Sequence, residues 1–535
     1  METSNKQAEP IAGPPIAALH LDLLWRIFAL NADIEVRPGG VHNTDELFQL
    51  SPLTTARHTS QVCSSWRQLI NGSSSFWGNM IDLNSLRQRS GIWRNEILLR
   101  TGESELSISG NISDGVQGVA EFFALLLKDH WPRIMRVHVG IHNFGAIHWP
   151  EGTWSALERP APSLRSFSII FQGGLPHICS SPGFSLFANR ARLLTRFQQN
   201  HIPIKLKASW IASLTSLTLN SAPTLSILLD TCSHIHSLLT LRLMFGITGP
   251  PPEDQLQSIN IPSLTTLHIA CPFGTALSFL DHINPAPGCS LRLLSSFKNT
   301  STILVQAQRI IARFTNNYFF HHNSTSFYLK FISHTMSMGD APAETFYDEP
   351  WYKGFVVSIY GRPSIPAALL TLCSAPVHLS HVEILLLHIQ QLRTPNASNI
   401  FPNFLARMTA LRKLQITTGG LDPFITSLSR VTQQRVFPQL KIFIWAPDSS
   451  YSRDVDLSDS TDLIQGFLAI RQKIGLPIEI LDLTKWNMLS QVPVHITKLE
   501  EFIGLKVIWR ESSRKGTNWR EYICGSGRLE ELGLE

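Results

Sequence analysis

Apolar residues recur along most of the chain in one short pattern: apolar, two residues of any kind, apolar, one of any kind, apolar. It is found at Ile134, Val137 and Val139, at Leu164, Phe167 and Ile169, at Leu214, Leu217 and Leu219, at Leu238, Leu241 and Leu243, and at Leu264, Leu267 and Ile269. It resumes at Val382, Leu385 and Leu387, at Leu411, Leu414 and Ile416, at Leu440, Phe443 and Trp445, and at Ile478, Leu481 and Leu483, with a degenerate copy at Leu505 and Ile508. Side chains of a strand alternate between its faces, so each copy predicts a short strand with one face in a core. Starts are 30, 50, 24 and 26 residues apart in the first block and 29, 29, 38 and 27 in the second. Between the strands lie helix-like stretches. The clearest is Asp462 to Ile474, with an apolar stripe of Leu463, Phe467, Ile470 and Ile474, an N-cap at Ser460 or Thr461, and Gly475 and Pro477 as its stop. Thr224 to Ser233 and Pro366 to Cys373 fit the same helix-then-strand unit.

Most of these intervals lie in or near the leucine-rich-repeat range of about 20–29 residues. Three copies are introduced by a proline two residues ahead, at Pro162, Pro262 and Pro438. The reading is an irregular leucine-rich solenoid over residues 131–510, and the alternative is an ordinary α/β domain with many buried strands. No repeats are placed between residues 291 and 377. Gly246 to Gln257, Ser337 to Gly354 and Pro447 to Asp462 read as loops or insertions. The last is acidic, and without the spacing of a calcium loop it reads as solvated chain.

The first 80 residues carry helical periodicity instead. Leu21, Leu24, Ile27 and Phe28 fall on one helix face, and Val62, Trp66, Leu69 and Ile70 on a face of a second helix from about 55 to 70. Ser73 to Trp77 reads as a short turn presenting Phe76 and Trp77, and Asn31 to Leu50 as a polar loop. So small a module cannot bury this apolar surface alone, so a partner or the solenoid should cover it.

Charged residues make up only 16% of the chain, against about 25% in ordinary soluble domains, while 43% are apolar. This excludes a disordered chain and a coiled coil. A net charge of +5 with no Lys/Arg run argues against nucleic acid, and the apolar runs are too short to span a bilayer. Seven cysteines, an odd number with no CxxC pair, and a polar start without a signal sequence predict reduced, mostly buried thiols in an intracellular protein, cytoplasmic and/or nuclear. Motifs of zinc hydrolases, phosphate-binding loops, nucleophile elbows and dinucleotide sites are absent, and His321-His322 has no metal-ligand spacing. The expectation is therefore no catalytic residue, no cofactor and no metal.

Leu19-His20-Leu21-Asp22-Leu23-Leu24-Trp25-Arg26-Ile27-Phe28 resembles the opening helix of an F-box, although His20 stands where the family has proline. Val62-Cys63-Ser64-Ser65-Trp66-Arg67 is similar to its second signature, and Phe76-Trp77 follows at the expected distance. The combination resembles F-box proteins of mushroom-forming fungi. Trp93 to Ile108 is similar to the linker helix that follows in that family, and Arg471 to Leu483 to its late Arg-x-x-x-Gly-x-Pro stretch. The resemblance implies an α/β chain in which a small helical F-box (16–80) follows a disordered tail (1–15). A linker helix and strand (81–130), the solenoid (131–510) and a C-terminal tail or cap (511–535) come after it.

It further implies a substrate receptor of an SCF-type ubiquitin ligase, bound to a Skp-family adaptor and through it to a cullin. Carried over, Leu19, Leu21, Leu24, Ile27, Phe28, Val62 and Trp66 are the adaptor-contact candidates, with packing of Phe28 on Trp66 inside the module as the competing role. An unidentified protein substrate should meet the outward strand positions, among them Arg136, His138, Arg242, His268, Ile384, Leu386, Lys413, Ile442 and Ile444. Two later repeats are apolar on both faces, so a partner or the tail around Trp509 and Trp519 is expected to cover them. The rival class is a leucine-rich scaffold whose decayed F-box no longer joins a ligase.

Overall fold

Strands form where the apolar pattern predicts them, and most pair in parallel with the strand before. The computed structural model describes residues 19–32, 51–88, 90–181, 183–199, 202, 204–205, 207–220, 224–244, 256–297, 301–332, 335–340, 354–361, 379–389, 403–429, 436–447, 457–486, 496–513 and 516–527. The fold is mixed α/β, dominated by parallel strands, and the chain divides into two compact units, residues 1–220 and 221–535. The expected tail 1–15, most of the Asn31 to Leu50 loop and the helix at Pro366 to Cys373 lie outside the described residues.

The first unit opens with helices α1 (Leu21–Ala32), α2 (Pro52–Ser60), α3 (Ser64–Gly72), α4 (Ser74–Gly78) and α5 (Ile92–Arg100). The single helix expected over 55–70 is two. Thr59 and Ser60 turn their hydroxyls back to the carbonyls of Thr55 and Arg57, and Cys63 is extended, so the first helix ends and the second restarts. Residues 74–78 are helical, and Phe76 and Trp77 are buried rather than presented, with the Trp77 indole donating to the Ile70 carbonyl at 2.9 Å.

Strands β1 (Ile81–Asp82), β2 (Leu106–Ile112), β3 (Ile134–Ile141), β4 (Ser166–Phe171), β5 (Arg196–Gln199) and β6 (Ser216–Leu219) then pair in parallel in chain order. Their register aligns Ile108, Val137, Phe167, Phe197 and Leu217 in one buried row. Strand β5 explains the 50-residue interval of the pattern. Leu194 and Phe197 keep its first two positions, but Gln199 takes the third and satisfies its buried amide by donating to the Ile202 carbonyl at 2.7 Å. Helix α6 (Gln117–Asp129) packs its apolar face, including Phe123 and Leu127, into this core. The later connections contain 3-10 turns, such as Thr153–Glu158 and Ser209–Ser213, rather than the expected α-helices.

The second unit begins with α7 (Leu225–Ser233), capped by Thr224, then β7 (Thr240–Met244), β8 (Ile259–Asn260), β9 (Thr266–Ala270), α8 (Phe273–Asp281), β10 (Ile283–Asn284) and β11 (Ser290–Phe297). Strands β7, β9 and β11 are parallel neighbours, while β8 and β10 pair separately. The chain then runs through α9 (Ser301–His321) into β12 (Ser326–Ile332), β13 (Thr335–Gly339) and β14 (Val356–Gly361). This meander fills the interval where no repeats were placed, and it reverses the strand order. Strand β14 lies beside β11, β13 is antiparallel to both of its neighbours, and β12 is parallel to β15 (Ile384–Ile389). Residues 337–339, expected in a loop, are therefore strand.

Parallel growth resumes with β15, β16 (Lys413–Thr417), β17 (Ile442–Ala446) and β18 (Ile480–Asp482), with helices α10 (Leu421–Ser429) and α11 (Leu457–Lys473) in the connections. Helix α11 starts earlier than expected and is rotated by one position. Its buried face is Ile464, Phe467, Leu468 and Arg471, whereas Ile474 is exposed. The described residues of the tail do not fold over the sheet. Strand β19 (Lys506–Ser513) continues it in parallel and β20 (Gly516–Ile523) turns back antiparallel as the next strand. Trp509 is buried, while Trp519 is exposed beside the Arg510 guanidinium. No helix among the described residues is long and apolar enough to cross a membrane.

Candidate protein-interaction surfaces

Helix α1 has two apolar faces. Leu24 and Phe28, both 4% exposed, point inward, and Phe28 meets Trp66 edge to face at 4.8 Å between ring centroids. Leu23, Ile27 and Leu30 follow at i, i+4 and i+7 and are exposed, as is Leu21 at 56%. Val62, between α2 and α3, is 63% exposed. Trp66 and Leu19 are half-buried.

The adaptor candidates thus separate. Leu21, Ile27 and Val62 are on the surface, whereas Leu24 and Phe28 are module core because Trp66 and the neighbouring helices occupy their face. Leu23 and Leu30 were not among the candidates, although their spacing with Ile27 was legible in the sequence. Polar groups anchor the module to the sheet. Ser51 and Ser85 donate to one oxygen of the buried Asp82 carboxylate at 2.8 and 2.7 Å, and the Asn84 amide donates to the other at 3.0 Å. The Arg100 guanidinium lies 4.7 Å from the Trp77 ring and pairs with Glu96 at 2.7 Å.

The second surface is the outward face of the strands. In the first unit Arg136 aligns with Ser107 and Ser166, and Ser166 in turn with Arg196. His138 aligns with Ser109 and Ser168, is exposed, and places Nε2 2.9 Å from the Ser166 hydroxyl. In the second unit Arg242, His268 and Arg292 are consecutive cross-strand neighbours. His268 is 9% exposed, so it is not the open contact residue expected from its outward position. Further along, Ile384, Lys413 and Ile442 are aligned and half-buried. Leu386 and Ile444 flank Gln415 but are 2% and 3% exposed, so they form no open apolar patch.

Titratable groups follow burial. The thiols of Cys179, Cys232, Cys271, Cys289 and Cys524 are buried and pushed up to about 12. Cys63 is exposed, and its thiol is lowered, first by the Ser65 hydroxyl and then by the Trp66 amide. Cys373 lies outside the described residues. Among the described residues no group of His, Cys, Asp and Glu could hold a metal.

Burial, then Arg292 and Arg242, pull His268 down to about 4 from an unfolded value near 6.5. Between those values the unfolded chain binds the extra proton. The contribution of neutral His268 is complete above pH ~6.5 and is lost as pH falls toward ~4, on the order of 3 kcal/mol in all. Urea titrations at pH 7.5 and 5 should show that His268→Asn removes this part of the acid sensitivity. An unchanged difference between the two pH values would refute it.

No family model matches the chain, and no curated protein matches it. A Bacteroides fragilis protein of known crystal structure aligns over 74% of this chain and 78% of its own at 9% identity, with a TM-score of 0.22.

Proposed function

We propose that the protein is a substrate receptor of an SCF-type cullin ubiquitin ligase, acting in the cytoplasm or nucleus. In this reading the α1–α4 module is an F-box that docks on a Skp-family adaptor and through it a cullin. The strand-forming remainder is an irregular leucine-rich-repeat solenoid whose outward face takes a protein substrate. The receptor supplies no nucleophile, cofactor or metal; it raises the local concentration of substrate beside the ubiquitin-conjugating enzyme.

The observation that carries this reading is the exposed row Leu23, Ile27 and Leu30 on a helix whose opposite face, Leu24 and Phe28, is already buried. A small module gains nothing in its own stability from an exposed apolar row, whereas an adaptor groove gains from covering it. Leu23→Asp with Ile27→Asp is expected to weaken adaptor binding by about a hundredfold or more, because each substitution would bury a charge at the interface. Both positions are exposed in the free protein, so its circular dichroism should not change. Co-purification and titration calorimetry with a Skp-family adaptor test this. A wild-type protein that fails to bind at micromolar concentration overturns the receptor reading in favour of a scaffold with a decayed F-box.

A further inference from the structure

Strand β20 is the last strand of the second unit, and among the described residues it pairs with β19 alone. One bond fixes which way its backbone groups point. The Cys524 amide donates to the Leu505 carbonyl at 2.9 Å, so Cys524 faces β19. Along an antiparallel strand these directions alternate, so Tyr522, Arg520 and Asn518 also bond toward β19, while Ile523, Glu521, Trp519 and Thr517 turn their amides and carbonyls away from it. Sheet edges are ordinarily blunted by lysine, proline or a bulge. Strand β20 contains no lysine and no proline, and its eight residues pair with β19 without a register shift. Trp519 and Ile523 are exposed along this edge, and the charge of Glu521 is offset by its ion pair with Lys506.

We propose that β20 pairs antiparallel with β20 of a second copy of this chain, about a two-fold axis at Trp519. The two-fold axis of such a pair stands normal to the sheet, so the pairing is defined by the residue through which it passes. At Trp519 it sets Trp519 of one copy against Trp519 of the other, Thr517 against Glu521, and Asn518 against Arg520. About six main-chain hydrogen bonds form and no like charges are opposed. Centring at Arg520 sets arginine against arginine, and centring at Glu521 sets glutamate against glutamate, which destabilises a directly opposed pair. Centring at Asn518 shortens the overlap and loses about two of the bonds. The edge is thus complementary to itself in one register, and there the two indoles meet across the axis and add an aromatic contact. A closed two-fold pair consumes both edges, so assembly stops at the dimer. The contact is one strand wide, which places it among weak, reversible interfaces. It does not depend on the ligase reading.

Sedimentation velocity of the full chain should show a monomer–dimer equilibrium with a dissociation constant of about 1–30 µM. Trp519→Lys opposes two ammonium groups at the axis, and Glu521→Pro deletes an amide that points away from β19. Each should weaken the dimer about tenfold or more. Both residues are exposed, so circular dichroism of the variants should match the wild type. Leu23→Asp with Ile27→Asp should leave the dimer unchanged, which separates this contact from the α1 surface. Hydrogen exchange of the Trp519 and Glu521 amides should slow as the protein concentration rises. A chain that stays monomeric at about 100 µM overturns the proposal and is the result expected if a strand of another protein occupies the edge. A dimer that survives both β20 substitutions, or oligomers that grow beyond two copies, overturns it as well.

Discussion

Arg471→Ala is expected to lower the unfolding free energy of the second unit by about 3–5 kcal/mol. The Arg471 side chain occupies the i+7 position of the buried face of α11 and is 3% exposed. Its guanidinium donates to the carbonyls of Val436 at 2.9 Å, Phe437 at 3.0 Å and Leu440 at 3.3 Å. These carbonyls belong to the turn that leads into β17, where Phe437 holds a φ of 55°. Burial pulls the guanidinium down to about 10, so it stays charged at neutral pH. Truncation strips buried carbonyls of their donor, and that desolvation penalty exceeds the value of an ordinary hydrogen bond. Arg471→Met should therefore lose nearly as much as alanine despite its better fit, and Arg471→Lys less, because one ammonium cannot serve the same fork. Guanidinium chloride unfolding followed by the fluorescence of Trp445 and Trp486 reads the difference. A methionine variant as stable as the wild type would show that the clamp contributes only volume.

Gly339→Ala should cost about 3 kcal/mol or more and loosen β13 first. Gly339 ends β13, between Tyr328 on β12 and Val356 on β14. A Cβ there would overlap the carbonyl oxygen of Phe355 and stand 3.0 Å from the Tyr328 ring. The backbone cannot yield freely, because the Phe355 amide donates to the Asp340 carboxylate at 2.5 Å, whose other oxygen accepts from the Tyr318 hydroxyl on α9 at 2.6 Å. A shift would disturb the meander and its crossover helix together. Hydrogen exchange of the β13 and β14 amides should accelerate in this variant. Gly466→Ala on α11, where a Cβ meets nothing within 4 Å, should instead be neutral or stabilising by about 0.5–1 kcal/mol. Equal exchange in the two variants would refute the steric argument.

Alternation is a property of neighbouring residues, so the strand positions and their inward and outward sides were legible wherever apolar residues filled the pattern. It failed at Gln199, where a hydrogen bond rather than a side-chain type makes the residue fit the core. It failed on α11 for a similar reason. Arg471 occupies a core position, and reading only apolar residues displaced the buried stripe by one.

The sequence by itself determined the strand-rich α/β class, the helical character of the start and the spacing that places Leu21 and Ile27 on α1. Only the tertiary structure decided which face of α1 is inside, because Trp66, 38 residues away, takes the face of Leu24 and Phe28 and leaves Leu23, Ile27 and Leu30 to solvent. It also decided the order of the strands in the meander. A strand's own residues do not say which strand will be its neighbour; that depends on where a 21-residue crossover helix returns the chain. Arg292 lay in the stretch the pattern could not place, and pairing of β11 with β9 is what sets it beside His268. Local periodicity records which way a side chain faces, and long-range packing records what it faces.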